Sequence, residues 1–156
     1  MAKQTISRDV PLAELTLRRY EKPVELGQRD LVKRLCLSLG LLQPGDSRDV
    51  VVDVLHVLLD QRKRKRPISS EQIRKKVVDF RKKNEMALLG VAGSNIRRQL
   101  KRLRNVMLVE KVTNNYRITE YLGLVDIMDE KLQKLILPMI IERVRDYMGE
   151  VDEKFK

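Results

Sequence analysis

Hydrophobic residues recur every three or four positions along most of the chain, which is the spacing of one helix face. The pattern predicts helices over about 9–21, 28–39, 47–62 and 94–106, and another that begins after Ser69. The sequence therefore predicts a mostly α-helical protein.

Three further features concern where these helices end and what connects them. Gly40 is placed to cap the C-terminus of the second helix. The uncharged segment Met86–Ala92 predicts a partly buried connector. A last helical stretch begins at Thr119 or Glu120, and Pro138 should kink or split it.

Two helix starts carry capping signals. Ser69 and Gln72 match a capping box, in which each side chain bonds the other residue's backbone N–H. Ile68 and Ile73 occupy the positions of a hydrophobic staple. Ser94 is a suitable N-cap for the next helix.

The hydrophobic period changes to two after residue 107. Leu108–Val112 and Tyr116–Thr119 predict two short strands, joined through Thr113, Asn114 and Asn115. Asparagine tolerates a positive φ, so a tight hairpin is expected here.

The helix over 47–62 has a single polar stripe, formed by Asp49, Asp53, His56 and Asp60. Such a set contains ligand types that metals use. A nearly buried helix must also leave one stripe in water, and nothing nearby completes a ligand set. We expect a solvent face and no metal site.

The positive charge is concentrated in one block. The 156 residues have a net charge of +11, yet residues 61–104 alone hold 16 Lys and Arg and three acidic residues, a charge of +13. Such a block is the electrostatic footprint of a protein that binds a phosphate backbone. A solvated, solubilising surface is the alternative.

The helix over 94–106 lies in this block and has no acidic residue. Ile96, Leu100, Leu103 and Met107 define its core side, and polar and basic residues cover the rest. Arginine can pair with guanine, and Asn or Gln with adenine, in the major groove. The expected base contacts are Asn95, Arg98, Gln99 and Arg102. The expected phosphate contacts are Arg62, Lys63, Arg64, Lys65, Arg66, Arg74, Lys75, Ser94, Arg97, Lys101, Arg104, Lys111 and Arg117.

Residues 47–119 present a helix, a capped helix, a basic helix and a hairpin in that order. This order resembles the winged helix-turn-helix superfamily of DNA-binding transcriptional regulators. The segment Tyr116–Gly123 is similar to the second wing strand and following turn of many bacterial and archaeal members. The resemblance implies a winged-helix core with a two-stranded hairpin as its wing and the helix over 94–106 as its recognition helix.

The regions on either side of this core are expected to be helical. We expect an N-terminal extension over 1–46 and a C-terminal region over 120–156, which carries a broad apolar stripe. The stripe either packs on the N-terminal helices or pairs two copies, and a homodimer suits successive turns of duplex DNA. The expected dimerisation residues are Leu132, Leu135, Ile136, Met139, Ile140, Val144 and Tyr147.

Other function classes have less support. Cys36 and His56 lie on different predicted helices, so no catalytic pair is indicated, and neither a cofactor nor an effector is specified. Six aromatic residues without Trp are few for a single-stranded RNA binder. With one thiol and no leader or membrane span, we expect a cytoplasmic, nucleoid-associated protein. The hypothesis is a homodimeric, double-stranded DNA-binding regulator; the alternative is a winged-helix protein–protein or RNA-binding module.

Overall fold

Helices dominate the part of the chain that the computed structural model describes, residues 10–19 and 21–156. A small three-stranded antiparallel sheet accompanies them. The elements in chain order are α1 (Gln28–Ser38), α2 (Val50–Lys63), β1 (Ile68–Ser69), α3 (Ser70–Lys83), α4 (Gly93–Asn105), β2 (Val109–Val112), β3 (Asn115–Ile118), a 3₁₀ turn (Thr119–Tyr121), α5 (Leu124–Ile127), a π-helical segment (Met128–Ile136) and α6 (Leu137–Lys154).

The prediction of a helix over 9–21 is wrong for the residues that the structure describes, because 10–19 contain no helix. Asp9 and Tyr20 lie outside the described residues. Short isolated helices are marginal in water. Here the segment bonds the end of α1 instead. The Thr16 N–H donates to the Ser38 carbonyl at 2.9 Å, and Arg18 Nε donates to the Leu37 carbonyl at 3.0 Å.

The C-terminus of α1 confirms the role predicted for Gly40. Its φ is +66°, a conformation that favours glycine. The Gly40 N–H donates to the Leu37 carbonyl, and the Leu41 N–H donates to the Cys36 carbonyl at 3.0 Å. These two bonds form a Schellman motif, which satisfies carbonyls that a helix end leaves unpaired.

The core is built around α2, which packs against α1, α3, α4 and β3. Leu55 and Leu58 are completely buried, as are Ile73 of α3 and Leu100 of α4. The capping box predicted at the start of α3 is confirmed, with the Gln72 N–H donating to Ser69 Oγ and the Ser69 N–H donating to Gln72 Oε1. This cap fixes where α3 begins, directly after β1.

The structure differs most clearly from the sequence prediction at the polar stripe of α2. The prediction of a solvent face is wrong for Asp49 and Asp53, which are 9% and 2% exposed. Arg81 Nη2 lies 2.7 Å from an Asp49 oxygen and 2.6 Å from an Asp53 oxygen. Arg29 bonds the same two carboxylates at 3.0 Å each. The periodicity of α2 could not reveal this, because both counterions come from other helices.

This buried ion cluster, Arg29, Asp49, Asp53 and Arg81, ties α2 to α1 and α3. Burial by itself raises the pKa of Asp49, but hydrogen bonds from Arg81 and Arg29 outweigh it and hold the pKa below its ordinary value. His56 stays at the rim of the stripe, with Nε2 3.7 Å from Asp60. Within the described ranges, no three His, Cys, Asp or Glu residues are grouped as metal ligands.

The sheet contains the predicted hairpin and one strand that was not predicted. β3 lies in the middle, in the order β1-β3-β2, with Ile68 opposite Tyr116 and Val109 opposite Ile118. β1 has two residues, too few to show a period of two. The positive φ of the hairpin turn is at Thr113, at 57°, rather than at an asparagine as expected.

The C-terminal helices follow one another without a break from Leu124 to Lys154. Pro138 therefore does not split them. A proline lacks the N–H and crowds the carbonyl four residues back, which a normal α-turn cannot accommodate. The wider π-helical turn precedes it, with the Leu137 N–H donating to the Leu132 carbonyl. Within residues 10–19 and 21–156, no helix has the length and apolar character that crossing a bilayer requires.

Candidate nucleic-acid interface

Helix α4 separates apolar and basic side chains sharply. It starts at Gly93 with Ala92 as N-cap and no side-chain cap bond, so the N-cap predicted at Ser94 is wrong by two residues. Ile96, Leu100 and Leu103 are completely buried and anchor the helix to the core. Met107, expected on the same stripe, lies beyond the helix with a φ of 62°.

The side of α4 that faces away from the core is a continuous basic surface. A turn of 100° per residue places its members within one third of the helix circumference, and all of them are exposed. No carboxylate of the described residues lies within 4.0 Å of any of its four cations. We call this surface the basic face: Arg97, Arg98, Lys101, Arg104 and Asn105. Ser94, exposed in the first turn, lies at the N-terminal end of this side.

A second, half-buried side of α4 carries the other three predicted base contacts. Gln99 Nε2 donates to Asn95 Oδ1 at 3.1 Å, and Arg102 Nη1 donates to Gln99 Oε1 at 2.9 Å. The chain of bonds ends on the backbone, where Asn95 Nδ2 donates to the Gly90 carbonyl and Arg102 Nη2 to the Gly40 carbonyl. These polar groups bond other groups of the chain, whereas Arg98 has no hydrogen-bond or ion-pair partner among residues 10–19 and 21–156.

The N-terminal segment comes close to this side of α4 at Gly40. A Cβ added to Gly40 would lie 2.5 Å from the Glu14 Cβ, so the segment containing Glu14 packs directly on Gly40. Arg102 reaches the same glycine. The sequence prediction placed Arg102 opposite the core. It did not account for the chain that lies beside this flank.

The connector before α4 is only partly buried. This agrees with the prediction of a partly buried connector: Leu88 and Leu89 are 43% and 45% exposed, whereas Met86, Gly90 and Val91 are half-buried. Val91 packs against the core, and its carbonyl accepts a hydrogen bond from Arg74 Nε at 2.9 Å. Arg74 therefore fixes the connector to α3. Lys75, the next residue, is exposed.

The hairpin adds cations in two different environments. Arg117 Nε lies 2.6 Å from Glu110 Oε1, and this hydrogen bond raises the Arg117 pKa. Arg117 also lies over the Tyr121 ring, 4.9 Å from its centroid. Lys111 is exposed, with its ammonium 5.8 Å from the centroid of the Tyr116 ring. Lys111 is therefore more open to a ligand than Arg117.

The basic run that begins in the last turn of α2 also contains cations in different surroundings. Arg62 Nη1 donates to the Leu122 carbonyl at 3.2 Å and so links α2 to the segment after the sheet. Lys63 lies 3.9 Å from Asp60. The remaining members are exposed in the turn that leads to β1. They are Arg64, Lys65 and Arg66.

A groove of about 540 Å³ lies beside the basic face, between α4, the hairpin and the π-helical segment. Lys101, Arg104 and Lys111 line it, together with Lys131. Lys131, which lies 3.8 Å from Glu120, is absent from the predicted contacts. It follows the hairpin by more than ten residues, and only the fold of the C-terminal helices returns it to α4.

The predicted dimerisation residues do not share one exposed surface. Leu132 and Ile136 are 2% and 6% exposed, so they are buried within the chain and cannot contact a second copy. Leu135 lines the groove next to α4. The other four, Met139, Ile140, Val144 and Tyr147, are exposed on α6.

Cys36 is completely buried in α1, where burial raises the thiol pKa to about 12. Since the thiolate is the nucleophile, this thiol is unreactive at neutral pH.

The comparisons with known proteins identify no relative. No protein-family model, no curated protein and no solved structure matches this chain.

Proposed function

We propose that this protein binds double-stranded DNA through a winged helix-turn-helix core, with α4 in the major groove, and acts as a transcriptional regulator. The observation that carries the proposal is the basic face of α4: four cations on one exposed helix side, with no carboxylate of the described chain near enough to neutralise them.

The order of elements supports the winged-helix part of the proposal. Three helices, α2, α3 and α4, are followed by the β2–β3 hairpin, and a short β1 before α3 pairs with the second hairpin strand. In this architecture the third helix is the recognition helix and the hairpin is the wing. The major groove is about 12 Å wide and admits one α-helix.

Exposure assigns the roles within the interface. Arg98 is the proposed base contact, since its guanidinium is exposed and can form a bidentate pair with guanine. Asn95, Gln99 and Arg102 would first have to break their bonds within the chain. The proposed phosphate contacts are Arg97, Lys101, Arg104, Lys75, Lys111, Arg64, Lys65 and Arg66.

Fluorescence anisotropy over a series of salt concentrations tests this function. The probes are a labelled duplex of mixed sequence, each of its single strands, and an RNA duplex of the same sequence. We expect the DNA duplex to bind most tightly, with log K falling steeply with log salt because each phosphate contact releases counterions.

The variant Lys101→Ala should weaken duplex binding and make the salt slope less steep by about one. Lys156→Ala, which removes the same charge just beyond α6, is the matched control and should change neither. Tighter binding to single strands or to RNA would favour the RNA-binding alternative, and no binding to any of the three would favour a protein–protein module.

A further inference from the structure

The C-terminal helix α6 carries an apolar stripe for which the described chain provides no cover. None of its 18 residues is buried. Apolar side chains recur at alternating intervals of three and four, the repeat of a coiled-coil seam. The stripe consists of Ile141, Val144, Met148 and Val151, which are 56%, 47%, 63% and 54% exposed, and it is continued by Phe155, the residue just after the last turn of α6, which is 84% exposed.

The two edges of this stripe differ in charge. Arg145 and Asp152 lie along one edge, seven residues and therefore about two turns apart. Tyr147 and Lys154 lie along the other edge, again seven residues apart. On each edge, therefore, two chemically different side chains are separated by one heptad, the repeat of a coiled coil.

We propose that α6 forms a homodimer by pairing antiparallel with α6 of a second copy. In an antiparallel pair each edge faces the same edge of its partner. Arg145 of one copy then meets Asp152 of the other, and the two-fold axis makes this ion pair twice. In a parallel pair the opposite edges face each other, and Arg145 has no carboxylate opposite it.

These ion pairs also select the register. With Arg145 opposite Asp152, Val144 packs against Phe155 of the second copy and Met148 against Val151. Tyr147, whose ring centroid lies 5.0 Å from the Arg143 guanidinium of its own chain, would lie opposite Lys154 of the second copy. A shift by one heptad would bring the two Arg145 side chains together, so charge repulsion disfavours that register.

The exposed area where the two helices would overlap is comparable to that of a small stable interface. From their exposed fractions, the five side chains at the overlap (Val144, Tyr147, Met148, Val151 and Phe155) offer roughly 600 Å² per copy. Complete burial of these side chains in both copies would remove at most roughly 1,200 Å² from water, which is close to the about 1,000 Å² expected of a biological interface. The surface differs from the predicted one, since it excludes Leu132 and Ile136.

Sedimentation velocity of the full chain over a concentration series, without DNA, tests the proposal. We expect the mass to rise to twice the 18.3 kDa of one chain. Arg145→Asp or Asp152→Arg alone places like charges opposite each other and should raise the dimer dissociation constant at least tenfold. The double variant should restore it to within about threefold of the original chain.

Glu153→Arg is the matched control, since it makes the same charge change as Asp152→Arg on the side of α6 away from the stripe. It should leave the dimer unchanged. Because α6 contributes nothing to the core, all variants should keep the same circular dichroism spectrum. A monomer at every concentration, or a double variant as weak as the singles, would overturn the antiparallel dimer. The experiment contains no DNA, so its failure would leave the proposed DNA binding intact.

Discussion

The buried ion cluster and the basic face of α4 use the same residue type in opposite surroundings. Arg81 is 2% exposed and lies within 3 Å of two carboxylates. Arg98 is exposed, and no carboxylate of the described residues is within 4.0 Å of it. The comparison shows that the role of an arginine depends on the counterions that the fold places near it. The helix on which the arginine lies does not determine that role.

The energetics of the two regions differ for the same reason. A buried charge is tolerated only when it is paired, so removing one partner leaves the others unpaired at high cost. An exposed arginine keeps its hydration and contributes little to folding. It remains available to a phosphate or a base. The buried ion cluster therefore stabilises the fold, and the basic face provides the surface that we propose binds DNA.

Replacing Arg81 with leucine should have the largest effect. Asp53 would keep only Arg29, and Asp49 would keep Arg29 and the more distant, partly exposed Lys33, so the free energy of unfolding should fall by about 3–5 kcal/mol. Urea denaturation measures this. Arg98→Leu is the matched control and should change stability by less than about 0.5 kcal/mol. Equal losses for the two variants would remove the distinction between the regions.

A smaller loss of stability is expected for Arg29→Ala. Arg29 bonds both carboxylates, but its side chain remains 22% exposed, so water can replace part of what is removed. Hydrogen bonds to charged groups are worth about 1.5–3 kcal/mol, and the loss should lie in this range. The same denaturation experiment checks it. A loss as large as that of Arg81→Leu would mean that the cluster depends equally on both arginines.

Substitutions on the basic face should change DNA binding rather than the stability of the fold. Arg98→Ala should reduce discrimination between a duplex selected from a random library and an unrelated duplex by about 1–3 kcal/mol. Competition binding with both duplexes measures the difference. Arg102→Ala is the comparison within the same helix and should reduce discrimination less, because its guanidinium bonds Gln99 and Gly40. The reverse order would place the DNA on the other side of α4.

The smallest effect is expected for Lys75→Ala. A single exposed phosphate contact carries no sequence information, so binding to both duplexes should weaken equally. The slope of log K against log salt should become less steep by about one. Anisotropy titrations at several salt concentrations check this. A selective loss on one duplex would contradict a pure backbone contact.

The sequence predicts the helices α1 to α4 and the hairpin well, because their apolar residues repeat with regular periods. Local periodicity contains no information on distant counterions. The sequence therefore predicts that Asp49 and Asp53 face solvent, whereas in the structure they bond Arg29 and Arg81, which lie 20 to 32 positions away along the chain. The strand β1 is too short to show any period.

The exposed basic side of α4 could be predicted from the sequence, but the surroundings of each of its residues could not. The absence of acidic residues identified α4, and the 100° turn placed Arg98 on its outer side. The sequence does not show that Gly40, 62 positions earlier, accepts a hydrogen bond from Arg102. Lys131 lies at the groove only because the C-terminal helices fold back towards α4.

Backbone amide chemical shifts recorded while duplex DNA is added test the central claim most directly. We predict that the largest changes fall on Arg97, Arg98, Lys101 and Arg104, with smaller ones in the hairpin, while Leu55 and Leu58 in the core do not change. Changes that spare α4 and concentrate elsewhere, or no changes in the presence of excess duplex, would contradict the account.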